Sequence, residues 1–129
     1  MLNESEMHVR VRYSETDAMG FLHHSNYPVY FEMGRTELLR QNGGDYRAME
    51  EEGIFIVVVK LEIRYLLPAR YDDLLRLITR VARVGAAKIE HEYELFRDQT
   101  RLCEAKITLA CINRDGVVQR IPASLGGEG

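Results

Sequence analysis

The chain has 129 residues, of which 46% are hydrophobic and 29% charged, and a formal net charge of −3. That is enough for one substantial core and too short for two ordinary domains, so residues 1–129 are read as a single domain. The acidic balance, with no segment that clusters basic side chains, excludes a dedicated nucleic-acid binder, because phosphate contacts require such a surface.

Cys103 and Cys111 are the two cysteines. On one extended strand they stand about 26 Å apart at about 3.3 Å per residue, far outside disulfide reach, and read as reduced core residues. The start MLNESEMHVRVRY lacks the basic opening and apolar run of a signal peptide. No later run approaches membrane-spanning length, so the expected setting is the cytoplasm, away from any membrane.

His8 to Tyr13 alternates Val9 and Val11 against Arg10 and Arg12, which predicts a short opening strand with Tyr13 at its end. A turn-rich loop, Ser14 to Ser25, follows. Ser25 or Asn26 is placed to cap a helix that tolerates Pro28 in its first turn. Tyr27, Phe31, Gly34 or Arg35, and Leu38 recur at helical spacing until Asn42-Gly43-Gly44 ends the run. Gly34 within that helix costs roughly 1 kcal/mol against Ala, which suggests a sheet pressed too close for a side chain. Glu32, Arg35 and Glu37 read as solvent-facing helix charges, and Asp45 to Glu52 as a short acidic helical turn before Gly53.

The period then switches to two. Phe55, Val57, Val59, Leu61, Ile63 and Tyr65 share one face of a long strand that ends at Pro68. Leu75, Leu77, Thr79 and Val81 repeat the pattern, as do Ile89, His91, Tyr93 and Leu95, and then Cys103, Ala105, Ile107, Leu109 and Cys111. Asp98 to Arg101 and Asn113 to Gly116 read as tight turns, and Ser124 to Gly129 as a frayed tail. One apolar helix stripe and four half-buried strands imply an α+β fold in two layers, a curved antiparallel sheet around one long helix. Its open edges favour pairing with a second copy.

The chemistry concentrates in YSETDAMGFLHHSNY, residues 13–27, where the carboxylate of Asp17 precedes a helix start. An acid beside free helix N–H groups supplies a base or nucleophile together with a donor for a developing oxyanion. Asp17 read by itself is more often a turn former than a catalyst. His23, His24 and Asp17 lack a spacing that converges on one ion, so no metal site is expected. His8 and His91 lie on strand patterns and read as structural. Gly20 provides either a positive φ or a close ligand approach. Asn26 and Ser25 read as helix caps.

Tyr13, Asp17, Gly20, His24 and Tyr27, in the order Y-x-x-x-D-x-x-G-x-x-x-H-x-x-Y, resemble the active-site loop of hotdog-fold acyl-CoA thioesterases, in the hydroxybenzoyl-CoA thioesterase-like branch that includes YbgC-type enzymes. The likeness continues through YPVYFEMGRTELLRQNG, VVVKLEIRYLLPARYDDLL and Arg120-Ile121-Pro122. It implies a hotdog fold, hydrolysis of an acyl-CoA thioester to free acid and CoA, and no cofactor. It also implies a homodimer or homotetramer with active sites at the dimer interface. By the same resemblance Asp17 acts as nucleophile or as general base for water. The backbone N–H near His24 polarises the thioester carbonyl, and the His24 side chain orients Asp17 or water, hydrogen-bonds the thioester, or is a polar loop residue that stands aside. Tyr13 holds Asp17 or caps the core, while Gly20, Asn26 and Tyr27 shape the substrate pocket. A CoA substrate further calls for a basic rim drawn from Arg64, Arg70, Arg80, Arg83, Lys88, Arg97 and Arg101. The alternatives are a thioesterase acting on acyl carrier protein, and a hotdog module that binds acyl-CoA without turnover.

Overall fold

The structure, a computed structural model, describes residues Met1 to Gly127. Strand β1 (Glu4–Arg10) leads through two short 3-10 turns, Tyr13–Glu15 and His24–Asn26, into the long helix α1 (Tyr27–Gln41) and the short α2 (Tyr46–Glu51). Strands β2 (Phe55–Tyr65), β3 (Leu74–Val84), β4 (Lys88–Arg97), β5 (Thr100–Ile112) and β6 (Val118–Gln119) follow. The sheet runs β1-β3-β4-β5-β2 with β6 on β5, and every pairing is antiparallel.

Period two becomes packing on the inner face. Leu75, Leu77 and Thr79 of β3, Ile89, His91, Tyr93 and Leu95 of β4, and Cys103, Ala105, Ile107, Leu109 and Cys111 of β5 are all buried. Both cysteines are free thiols, and burial pushes Cys103 up to about 12. Against this face α1 buries Tyr27, Tyr30, Phe31, Gly34, Leu38 and Leu39, with the Phe31 ring stacked on Tyr93 at 4.8 Å. At Gly34 helix and sheet approach closely: a Cβ there would meet Thr79 Oγ1 and stand 2.8 Å from Leu77 Cδ2. On the outer face, residues paired directly across all five long strands run Glu4, Arg80, Glu92, Lys106, Glu62. This alternation of sign is what cross-strand neighbours favour.

Several expectations are corrected. The opening strand ends at Arg10, so Tyr13 lies in a 3-10 turn and does not close a strand. Val59, Leu61 and Tyr65 remain 36–51% exposed, because β2 is the sheet edge and a register shift between Val58 and Lys60 interrupts its pleat. Arg35 does not face solvent; its side chain is 10% exposed, with Glu32 Oε2 3.7 Å away. The segment expected to fray forms a 3-10 turn, Ala123–Leu125, and Leu125 joins the core; Glu128 and Gly129 lie outside the described residues. Among the described residues no helix is long and apolar enough to cross a membrane.

His91 is the polar exception in the core. Burial, assisted by the positive charge of Arg35, lowers it to about 4, and its Nδ1 lies 3.1 Å from the Tyr93 hydroxyl. It is therefore a neutral structural histidine near pH 7, as its strand position suggested.

Candidate active site

The loop between β1 and α1 is held by backbone bonds on both sides. Leu22 N–H donates to Ala69 O at 2.8 Å, and Tyr71 N–H to Gly20 O at 3.2 Å, which ties the loop to the segment after β2. At its tip Asp17 N–H donates to Phe21 O at 2.8 Å and Gly20 N–H returns to Asp17 O at 3.0 Å. Gly20 has φ +79°, the left-handed conformation that this turn needs, with no protein atom within 4 Å of where a Cβ would stand.

This turn fixes the Asp17 carboxylate. Its Oδ1 accepts the Met19 N–H at 2.8 Å and the Phe21 N–H at 3.1 Å. Among the described residues Oδ2 has no hydrogen-bond partner, so one oxygen anchors the side chain and the other is unpaired.

Helix entry departs from the expected capping. Neither Ser25 nor Asn26 caps with its side chain; His23 does, its Nδ1 accepting the Ser25 N–H at 3.1 Å. Asn26 instead donates from Nδ2 to Glu15 O at 3.0 Å. His24 stacks its ring on His23 at 4.2 Å, and its carbonyl accepts the Tyr65 hydroxyl at 3.4 Å. The His24 N–H donates to no acceptor among the described residues, as the opening of a helical segment leads one to expect.

Asp17 and His24 line one open groove of about 290 Å³ with Phe21, Tyr27, Tyr65 and the turn Leu66 to Pro68. Tyr27 is buried with its ring edge-on to Tyr65 at 4.9 Å, and burial pushes its phenol up to about 12. The structure does not bring Tyr13 to this groove. Its ring is 78% exposed and stands edge-on to Tyr71 at 5.5 Å, and its carbonyl accepts from Thr16. A larger cleft, about 710 Å³, lies at the other end of α1 beside α2. Most of its charges are already engaged: Asp45 caps α2, Arg40 pairs with Glu37, Arg47 with Glu51, and Arg114 donates to Glu50 O and Glu51 O. Chemistry, not size, selects the smaller groove.

Sequence reasoning missed Glu15. It is 6% exposed, and its Oε1 accepts both the Arg12 N–H and the Tyr30 hydroxyl at 2.8 Å. Its carbonyl takes the His23 N–H at 2.8 Å as well as Asn26 Nδ2. Burial alone would raise this carboxyl, but the hydrogen bonds from Arg12 N–H, Tyr30 and the Arg12 guanidinium outweigh it and hold the group below the usual range. The available signal was Arg12 three residues ahead of Glu15, the spacing of a reciprocal cap.

Residues 11–126 match the family described as the thioesterase-like superfamily. The chain belongs to this superfamily. Among these thioesterases it is 40% identical to the acyl-CoA thioesterase YbgC of Haemophilus influenzae over 81% of this chain and 78% of that protein. It is 33% identical to the acyl-CoA thioester hydrolase YbgC of Escherichia coli over 81% of this chain and 79% of that one. The crystal structure of a DHNA-CoA thioesterase from Staphylococcus aureus superposes with a TM-score of 0.88 at 28% identity, covering 91% of this chain and 80% of that chain. The α+β hotdog architecture and the YbgC-like resemblance read from the sequence both hold.

Proposed function

We propose that the protein is an acyl-CoA thioesterase whose reacting groups are Asp17 and the His24 N–H. One observation carries this reading: Asp17 and His24 line the same groove, and among the described residues neither Asp17 Oδ2 nor the His24 N–H has an internal partner. The His24 N–H donates to the thioester carbonyl oxygen and stabilises the charge that gathers there as the tetrahedral centre forms. Asp17 Oδ2 either attacks the carbonyl carbon, giving a mixed anhydride that water then hydrolyses, or takes a proton from the attacking water. In both routes the C–S bond breaks and the CoA thiolate leaves. The His24 ring, stacked on His23, supports the loop in this reading, and Gly20 and Asn26 act by holding its shape.

The site is completed by a second copy. Tyr65 at the groove and Leu61, Val59 and Val58 further along the edge strand β2, with Val29 and Met33 on α1, expose apolar side chains. An unpaired strand edge and an apolar patch together favour isologous pairing. The experiment is thiol release from a panel of short, long and aromatic acyl-CoAs and from an acyl-carrier-protein thioester. Release from at least one acyl-CoA supports the proposal. Release from the carrier-protein thioester alone would replace it with a carrier-protein thioesterase, and CoA binding without release with a binding module.

A further inference from the structure

Phe21 lines the Asp17 groove and pairs across a β-bridge with Arg70, whose guanidinium carbon lies 4.8 Å from the centre of the Phe21 ring. Arg70 is exposed, and among the described residues no carboxylate lies within ion-pairing distance of it. The two nearest acids in sequence are taken: Asp72 faces Arg10 at 4.0 Å, and Asp73 Oδ2 accepts Arg97 Nη1 at 2.9 Å and the Arg70 backbone N–H at 2.8 Å.

The other basic residues expected at the rim are not available in the same way. Arg64 pairs with Glu104 at 3.1 Å, Arg80 with Glu4 at 2.6 Å and also with Glu94, and Arg101 with Glu94 and Glu104 at 3.2 and 3.3 Å. Lys88 pairs in register with Ala110, whereas groove-lining Tyr65 pairs with Cys103, so the two lie ~23 Å apart at about 3.3 Å per residue along β5. Arg83, paired with Glu90 at the same end of the sheet, is equally remote.

We propose that Arg70 binds the diphosphate of a CoA thioester at the mouth of the groove, an assignment that rests on the thioesterase reading above. The reach fits. Asp17 and Arg70 are separated by two strand-like steps through Phe21, about 10 Å at ~4.8 Å each, before the arginine side chain extends outward. The pantetheine arm from sulfur to phosphorus has about as many bonds as a four-residue extended peptide, ~14 Å at about 3.5 Å per residue. A planar guanidinium held against an aromatic ring keeps its edge N–H groups free for phosphate oxygens.

The test is calorimetric titration of CoA, and of pantetheine, which carries no phosphate, into wild type, Arg70→Ala and Arg70→Lys, together with turnover of matched acyl-CoA and acyl-pantetheine. Arg70→Ala is expected to weaken CoA binding and raise KM for acyl-CoA by about tenfold, the size of one charge-assisted contact, with kcat and all pantetheine parameters unchanged and partial recovery in Arg70→Lys. Unchanged CoA affinity in Arg70→Ala, equal losses for pantetheine, or no CoA binding by wild type would overturn the assignment. If CoA binding depended on Arg70 while wild type hydrolysed no thioester, the phosphate site would stand and the hydrolase reading would fall.

Discussion

The Tyr30 hydroxyl donates to Glu15 Oε1 at 2.8 Å, joining the second turn of the long helix to the loop that carries Asp17. Both partners are buried, and through its backbone carbonyl Glu15 also receives the His23 N–H and the Asn26 side chain. One residue thus fixes the loop and the helix entry relative to each other. In the proposed mechanism, that relative position decides whether Asp17 Oδ2 and the His24 N–H meet one substrate.

Tyr30→Phe removes one donor from a buried carboxylate and is expected to cost about 1–3 kcal/mol in urea unfolding. Glu15→Gln tests the same centre through pH. Because the folded carboxyl lies below its ordinary value of 4.5, its contribution is fully present above pH 4.5 and is lost as pH falls through the folded value. In the Gln variant the acid limb of the stability profile below pH 4.5 should be shallower than in wild type.

His91 predicts a separate acid effect. Its folded value of about 4 lies below the ordinary 6.5, so the unfolded chain binds the extra proton first and stability falls as pH drops from 6.5 towards 4. The loss is on the order of 3 kcal/mol. Thermal unfolding of His91→Gln across that interval should show a flatter pH dependence than wild type.

Gly34→Ala would gain up to about 1 kcal/mol in helix propensity, yet it places a Cβ against Thr79 Oγ1 and Leu77. Overpacking of this kind costs about 1–3 kcal/mol, so the variant should melt below wild type. A higher melting temperature would contradict the close helix–sheet contact.

Much of this was legible because one face is dry within a single chain. Ile89, His91, Tyr93 and Leu95 alternate in sequence and are buried in the fold. Leu61 and Tyr65 alternate equally well and stay exposed, since periodicity states which residues share a face but not what covers it. The site was legible as a motif and not as a network. Asp17, Gly20, His24 and Tyr27 fall on or beside the groove, but Tyr13 stands away from it. Glu15 looks like any loop acid until Tyr30 is folded over it. The capping role went to His23, whose ring nitrogen acts as the acceptor that Ser25 or Asn26 was expected to supply.

Leu61→Arg places a charge on the exposed edge strand beside the groove. The proposed dimer should then elute as a monomer in size-exclusion chromatography, with kcat/KM for acyl-CoA reduced by at least about tenfold. Full activity in a monomeric variant would remove the second copy from the account.

The most direct test is kcat of Asp17→Asn with an acyl-CoA that wild type hydrolyses, alongside its melting temperature. Asn keeps an oxygen to accept from Met19 and Phe21 but has no basic carboxylate oxygen for the thioester or water. A fall in kcat of about 10²–10⁴-fold with the fold intact is the predicted result. A folded Asp17→Asn enzyme turning over at the wild-type rate would contradict the assignment of Asp17 as the reacting group.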